Sequence, residues 1–198
     1  MAEQQTAKKA VRKKFFDVAV PLTAAKVKLY AMNEEELNGK IVKIDMTKNL
    51  KGKNVEMRAK ISYDKGTLES EVISLILFPS YIRRIMRRGI DYVEDSFEAS
   101  CKDAQLRIKP FMLTRNSVSR KVRNEIRNTA RKFLEGYAHI KTAKELFSEI
   151  MTNKIQKLVS LKVKKIYPLA FCEIRWIEVV GLPVKKAEIQ KPEEAIAQ

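Results

Sequence analysis

Short alternations of apolar and polar residues run through the first 113 residues of the chain. The clearest lies at 54–62, where every second residue from Val55 to Ile61 is apolar and the residues between them are charged. This period of two is typical of a strand with one face in the core and the other in solvent. Similar alternations occupy 15–20, 40–46, 68–78, 92–101 and 106–113. The pattern predicts about six strands in this part of the chain.

Turn sequences separate the predicted strands. They occur at Asn38-Gly39, at 51–54 and at 64–66, and each contains a glycine. Strands joined by such short turns run antiparallel. A small barrel or a sandwich is the natural outcome.

Helices are predicted within and after the strand region. Pro79 and Ser80 can start a short helix, and Gly89 can end it. After residue 113 the apolar residues recur with the period of a helix, starting at a suitable N-cap, Ser117. A second helical run follows at 143–158.

The folded region is predicted to be one domain at 15–180, a size that suits a single core. Its parts are a strand-rich segment at 15–113, a helical segment at 117–165 and a final strand at 171–180. Residues 1–14 lack apolar periodicity and are rich in Lys, so we expect a flexible basic arm. Residues 181–198 hold too little apolar surface to offset the entropy of ordering, and a disordered tail is expected.

Charge narrows the choice of function. The 198 residues include 40 Lys and Arg against 24 Asp and Glu, a formal net charge of +16. A surplus of this size favours a polyanionic partner, and nucleic acid is the first candidate. Hydrophobic residues make up 45% of the chain, which supplies a core and excludes global disorder.

The remaining composition points to a cytoplasmic protein. The two cysteines, Cys101 and Cys172, lie far apart and have no zinc-ligand spacing. Charge occupies the place where a signal peptide needs an apolar stretch, and the longest apolar run, near 72–78, is far too short to span a bilayer. We expect no membrane partner, no metal and no other cofactor.

The most informative charges lie between Arg107 and Lys132, where the positive residues face a single acid, Glu125. Four of these arginines fall in one quadrant of the predicted helix, roughly opposite an apolar stripe. Solvated helix faces normally interleave Glu with Lys and Arg, so this arrangement favours phosphate binding over a merely solvated face. This arginine ridge consists of Arg120, Arg123, Arg127 and Arg131, and the stripe of Val118, Val122 and Ile126.

Two further clusters support the same interpretation. Four arginines on the short helix would repel one another unless an anion neutralised them. A mobile basic arm can enter between nucleic-acid segments, although a simple solubility tail is an equal alternative. The predicted RNA-binding residues are Lys8, Lys9, Arg12, Lys13, Lys14, Arg83, Arg84, Arg87, Arg88, Arg107, Lys109, Arg115, Arg120, Lys121, Arg123, Arg127, Arg131 and Lys132.

Other chemistries have weaker support. Tyr81, Tyr92 or Trp176 could stack on bases, as in a regulator that binds single-stranded messenger RNA, but core packing is the simpler interpretation. The carboxylates at 91–98 could hold magnesium in a nuclease, but strand alternation sends them to opposite faces. His139 is the only histidine and has no nucleophile motif to accompany it, so no catalytic site is predicted.

Five segments match a known family in order and spacing. They are 13–21 (KKFFDVAVP), 38–48 (NGKIVKIDMTK), 80–93 (SYIRRIMRRGIDYV), 102–115 (KDAQLRIKPFMLTR) and 164–180 (KKIYPLAFCEIRWIEVV). Together they resemble the archaeal and eukaryotic small-subunit ribosomal protein family S-three-A-e, also called e-type S-one. The short tails are more similar to the archaeal branch.

The resemblance implies a structural protein on the platform of the small ribosomal subunit, near the messenger exit. With the strand count it implies an α+β fold, a small antiparallel β-barrel of about six or seven strands with flanking helices. The expected partners are small-subunit ribosomal RNA, neighbouring small-subunit proteins on the platform and messenger RNA near the exit. The expected role is in translation and is not enzymatic.

Overall fold

The structure is a computed structural model that describes residues 12–23, 25–48, 50, 52–64 and 67–181. Most of the predicted basic arm and almost all of the predicted tail therefore lie outside the described residues.

The described residues form nine β-strands, four α-helices and one short 3-10 helix. The strands are β1 (Lys14–Ala19), β2 (Lys26–Ala31), β3 (Ile41–Asp45), β4 (Val55–Asp64), β5 (Thr67–Leu77), β6 (Tyr92–Glu94), β7 (Phe97–Ser100), β8 (Gln105–Thr114) and β9 (Leu169–Gly181). The helices are α1 (Pro79–Ile85), α2 (Arg120–Ile140), α3 (Ala143–Met151) and α4 (Lys154–Val163), and the 3-10 helix spans Glu35–Leu37.

The strands form two antiparallel sheets. Within the described ranges, β1 and β2 pair only with each other. The other seven strands pair in the order β3-β4-β5-β9-β8-β6, and β7 also pairs with β8. The last strand of the chain, β9, thus lies in the middle of the larger sheet and brings the C-terminal end of the fold to its centre.

The predicted closed barrel is not confirmed. In the part of the chain that the structure describes, β3 and β6 end the larger sheet and no pairing joins them. Helices α2, α3 and α4 contact this sheet, and their apolar side chains share one core with it. The sheet therefore buries its apolar surface against helices instead of by closing on itself. The predicted mixture of helices with antiparallel strands is confirmed.

A second, smaller core attaches the β1–β2 hairpin. Val18, Ala31, Leu37 and Ile61 are all less than 5% exposed and form one cluster. Because Ile61 belongs to β4, this cluster joins the hairpin and the 3-10 helix to the larger sheet.

Two strand predictions need correction. β2 is not among the predicted strands, because half of its six residues are lysine or tyrosine and its apolar alternation is therefore weak. The predicted strand at 92–101 is two strands, β6 and β7, which both pair with β8. The break falls at Asp95, whose Oδ1 accepts a hydrogen bond from the backbone N–H of Ser96 at 2.9 Å. Such local side-chain bonds compete with strand pairing.

The helix boundaries also differ from the prediction. Helix α1 ends at Ile85, and Gly89 lies beyond it in a turn with φ +81°. The N-cap of α2 is Ser119, whose side chain accepts a hydrogen bond from the backbone N–H of Val122, and not Ser117. Both differences shift a boundary by a few residues and leave the helices themselves as predicted.

The helical run at 143–158 is two helices. Asn153 adopts a left-handed conformation with φ 61°, and this ends α3 and begins α4. Helix α3 starts with a capping box in which the Thr142 and Glu145 side chains bond to each other's backbone N–H. The left-handed Asn153 makes the turn between α3 and α4, and the capping box fixes the start of α3.

A buried polar network joins this turn to the sheet. The Nζ of Lys53 pairs with the carboxylate of Glu173 in β9 and donates to the side-chain oxygen of Asn153. Gln156 of α4 donates to the other oxygen of Glu173 at 3.3 Å. The network thus connects the segment before β4, the α3–α4 turn and β9.

Candidate nucleic-acid interface

Helix α2 carries the arginine ridge. Its buried residues are Ile126, Ala130, Leu134 and Ala138, one on each turn, and α2 contacts β6 and β7. These residues are four apart, and four residues are slightly more than one helical turn of 3.6 residues. Each buried side chain is therefore rotated further around the helix axis than the one before it, towards the side that carries the arginine ridge. The ridge therefore flanks the buried face, and this differs from the predicted position opposite the apolar stripe.

Arg127 and Arg131 lie at the seam between α2 and the sheet. The Nε of Arg127 donates to the carbonyl oxygen of Glu94 at 3.1 Å. The Nε of Arg131 pairs with Glu135 at 2.8 Å, and its guanidinium lies 5.4 Å from the centroid of the Phe97 ring. The hydrogen bond with Glu135 raises the pKa of Arg131. These contacts orient both guanidinium groups and leave some of their donors for a ligand.

The other cations near α2 are less engaged. Arg115, Arg120, Lys121 and Lys132 are exposed, and among the described residues their side chains form no hydrogen bond or ion pair. Arg123 is half-buried and lies close enough to Asp91 to help lower the pKa of that carboxyl. Exposed cations without a partner in the protein are free to bind a phosphate backbone.

The second predicted cluster divides between α1 and the following turn. Arg83 and Arg84 belong to α1, whereas Arg87 and Arg88 lie beyond it, and all four are exposed. The guanidinium of Arg84 lies 5.3 Å from the centroid of the Tyr81 ring. The four charges therefore project from a short helix and a turn, not from two turns of one helix.

The third cluster lies partly outside the described residues. Lys8 and Lys9 fall there, whereas Arg12, Lys13 and Lys14 are described and exposed. The Nζ of Lys13 lies 5.8 Å from the centroid of the exposed Tyr30 ring on β2. The last residues of the predicted arm, Lys13 and Lys14, thus lie beside or within the small sheet.

The two predicted contacts on β8 have partners within the protein. Arg107 pairs with Glu98 at 2.8 Å and with Glu178 at 3.2 Å, and the bond to Glu98 is the main cause of its raised pKa. The Nζ of Lys109 lies 4.2 Å from the centroid of the Trp176 ring. Arg107 is therefore neutralised by two carboxylates and is the least suited of the predicted residues to bind phosphate.

A groove of about 640 Å³ runs along the same seam. We call it the seam groove, and its lining includes Glu94, Asp95, Lys109, Arg127, Arg175 and Trp176. Arg175 donates to both carboxylate oxygens of Glu94, at 3.0 and 3.1 Å. Arg175 is absent from the predicted RNA-binding residues, and the sequence suggests Trp176 only as an alternative base-stacking residue.

A β-bulge explains why both residues reach the seam groove. Lys109 pairs with Trp176, but the next residue of β8, Pro110, pairs with Ile174, so Arg175 is left over. An extra residue in one strand re-aims the neighbouring side chains. Regular alternation would send Arg175 and Trp176 to opposite faces, and no sequence signal in this strand predicts the bulge.

The carboxylates at 91–98 are used inside the fold. Asp91 accepts hydrogen bonds from the backbone N–H of Val118 at 2.8 Å and from the hydroxyl of Ser117 at 3.1 Å, and the bond from Val118 is the main cause of its lowered pKa. Glu94 and Glu98 pair with arginines. Within the described ranges, no group of three or more His, Cys, Asp or Glu is placed to hold a metal ion.

The two cysteines are likewise unsuited to act as nucleophiles. Burial raises the pKa of the Cys172 thiol to about 12 and that of Cys101 to about 11, so both stay protonated near neutral pH. His139 is exposed at the end of α2.

The exposed basic clusters lie on one sheet-and-helix core, and a surface of this charge favours polyanionic partners. None of the helices in the described part of the chain is long and apolar enough to cross a membrane.

Comparison with known proteins identifies the family. Residues 2–183 match the model of the ribosomal S3Ae family, and the chain belongs to that family. Its members are structural ribosomal proteins and not enzymes.

The chain is similar to archaeal proteins called small ribosomal subunit protein eS1. It is 28% identical to that of Nanoarchaeum equitans over 172 residues, which cover 83% of this chain and 87% of the relative. It is 24% identical to that of Methanothrix thermoacetophila over 188 residues, covering 91% and 89%. The protein of Halorubrum lacusprofundi is 24% identical over 196 residues, covering 94% and 91%.

Proposed function

We propose that the protein is a structural constituent of the small ribosomal subunit and that it binds folded ribosomal RNA through its Arg- and Lys-rich surfaces. Family membership and the names of the archaeal relatives support the ribosomal role. The observation that carries the RNA-binding part is the set of exposed cations on α2 that have no partner among the described residues, Arg120, Lys121 and Lys132.

These cations suit a folded RNA because the buried face of α2 holds the helix in the core. One apolar residue on each turn, from Ile126 to Ala138, anchors α2 in the core. Rigid placement fixes the spacing of the charges, so they can match phosphates whose positions are set by RNA folding. A guanidinium fork binds two phosphate oxygens at once and loses water more readily than an ammonium group.

Further contacts follow from the same role. Arg83, Arg84, Arg87 and Arg88 project as a second basic surface, and the arm that begins at residue 1 would supply a third. Neighbouring small-subunit proteins on the platform are the proposed protein partners, with messenger RNA near its exit as a further contact. The proposed site of action is the cytoplasm, where ribosomes translate.

Binding to protein-free small-subunit ribosomal RNA tests this function. We expect the purified protein to bind the folded RNA more tightly than heat-denatured RNA of the same sequence, with an affinity that falls steeply with salt. Equal affinity for folded RNA, denatured RNA and heparin would contradict recognition of RNA shape and leave only a nonspecific polycation.

A free-standing regulator of single-stranded messenger RNA is the second candidate. The half-exposed ring of Trp176 in the seam groove is the observation that favours it. Tighter binding to short unstructured oligonucleotides than to folded ribosomal RNA would support this candidate over the first.

A further inference from the structure

We infer that the seam groove binds one unstacked nucleotide of the RNA, with its base on the Trp176 ring and its phosphate among Lys109, Arg127 and Arg175. This inference rests on the proposed RNA-binding function. It adds a pocket for a single nucleotide to surfaces that otherwise contact only the phosphate backbone.

The groove brings together the side chains that a nucleotide requires. It has the volume of a small-ligand site, about 640 Å³. Three cations line it together with the two carboxylates Glu94 and Asp95, which leaves an excess of positive charge, and an aromatic ring lies beside them. Phosphates bind Lys and Arg side chains, and nucleobases of every kind stack on aromatic rings.

The β-bulge in β9 is what assembles these groups. It leaves Arg175 unpaired with β8 and places it beside Trp176, so adjacent residues line the same groove. Bulges that re-aim side chains are enriched beside functional sites. Arg175 donates to both oxygens of Glu94 through Nη1 alone, so unlike Arg107, which uses Nη1 and Nη2 on two carboxylates, it keeps Nη2 and Nε for a phosphate. Arg127 is held by the carbonyl oxygen of Glu94, so both guanidinium groups are oriented before a ligand arrives.

The groove also contains contacts that a nucleotide could replace or complete. Lys109 covers the Trp176 ring at 4.2 Å, and a stacking base would take that position and release the ammonium group to the phosphate. Asp95 Oδ2 is a buried acceptor with no hydrogen-bond donor among the described residues. A base amino group or a ribose hydroxyl could supply that missing donor after a small side-chain rotation.

Two RNA duplexes test the inference, one fully paired and one with the same sequence plus a single bulged adenosine. Trp176 is the only tryptophan in the chain, so its emission reports on the groove alone. We expect the bulged duplex to bind about tenfold more tightly, the order of one stacked base, and to change the emission of Trp176. The fully paired duplex should bind with a similar salt dependence and leave the emission unchanged.

Variants separate stacking from a general loss of binding. Trp176→Phe keeps an aromatic ring and should retain the preference for the bulged duplex, whereas Trp176→Leu should lose it and still bind both duplexes. The control Lys43→Ala removes an exposed charge on β3, outside the groove, and should keep the preference. A circular dichroism melt of each variant confirms that it is folded.

The two possible failures are distinct. Equal affinity for the two duplexes with unchanged emission, while both still bind in a salt-dependent way, would overturn the nucleotide site and leave RNA binding intact. Failure to bind either duplex at low salt would overturn the proposed function and the nucleotide site together.

Discussion

The Glu173→Gln substitution should destabilise the protein by about 3 kcal/mol, because it breaks a buried ion pair from one side. The side chains of Glu173 and Lys53 are 9% and 17% exposed, so neither charge is well solvated. Removing one partner of such a pair typically costs about 3–5 kcal/mol. We expect the lower end, because glutamine can still accept from Gln156 and Lys53 keeps its bond to Asn153.

Urea unfolding followed by circular dichroism measures this loss. For a chain of this size the same change should lower the Tm by about 6–12 °C. Glu36→Gln is the matched control, because its partner Lys40 and Glu36 itself are each 47% exposed, and an exposed pair contributes little.

The double variant Lys53→Met with Glu173→Leu separates the pair's net contribution from the penalty of an unpaired charge. Replacing both charges with apolar groups should recover most of the loss, since burying the two ions is itself costly. A loss below about 1 kcal/mol for Glu173→Gln would refute the reasoning, because a well-solvated pair is the only kind that costs so little to break.

Three further predictions concern charge, pH and thiol reactivity. The triple variant Arg120→Gln, Lys121→Gln and Lys132→Gln should lower the slope of log affinity against log salt by about 2–3, since each phosphate contact contributes about 0.7–0.9. The control Arg107→Gln removes a charge that is already paired and should leave the slope unchanged. An equal effect of both variants would contradict the proposal that the cations of α2 bind phosphate. Burial alone would raise the pKa of Glu149, but hydrogen bonds from Tyr137 and Lys154 outweigh it and hold the pKa below its ordinary 4.5. A carboxyl whose pKa is lowered in the folded state adds stability at higher pH, and this stability is lost as the pH falls through that pKa. Glu149→Gln should therefore flatten the acid side of a plot of urea midpoint against pH. An unchanged acid side would argue against this role of Glu149. The thiols of Cys101 and Cys172 should react slowly with a thiol-specific reagent at pH 8 and rapidly in denaturant, because burial raises their pKa values. Rapid labelling of the native protein would count against this prediction.

Much of the fold could be predicted because local patterns agree with the final packing. The alternation from Val55 to Ile61 lies within β4, and the helical period after residue 113 becomes α2. The closed barrel could not be predicted in this way, because closure depends on which strands pair when they are far apart in the sequence. The position of β9 between β5 and β8 decides that pairing, and nothing local to β9 specifies its neighbours.

The charged residues of the candidate site could be predicted from the sequence, but their positions relative to one another could not. The arginines of α2 could be found from composition and helical period alone. The sequence does not reveal that Arg107 is neutralised across three strands by Glu98 and Glu178. Nor does it reveal Arg175 and Trp176 in one groove, because that depends on the β-bulge in β9.

Sedimentation of the tagged protein in a cell extract tests the central claim most directly. The extract is run through a magnesium-containing sucrose gradient, before and after a high-salt wash and after chelation of magnesium. We predict that the protein peaks with the small ribosomal subunit and stays there through the salt wash, as an integral component would. A protein that remains at the top of the gradient, or that washes off as readily as a loose polycation, would contradict the structural role in the ribosome.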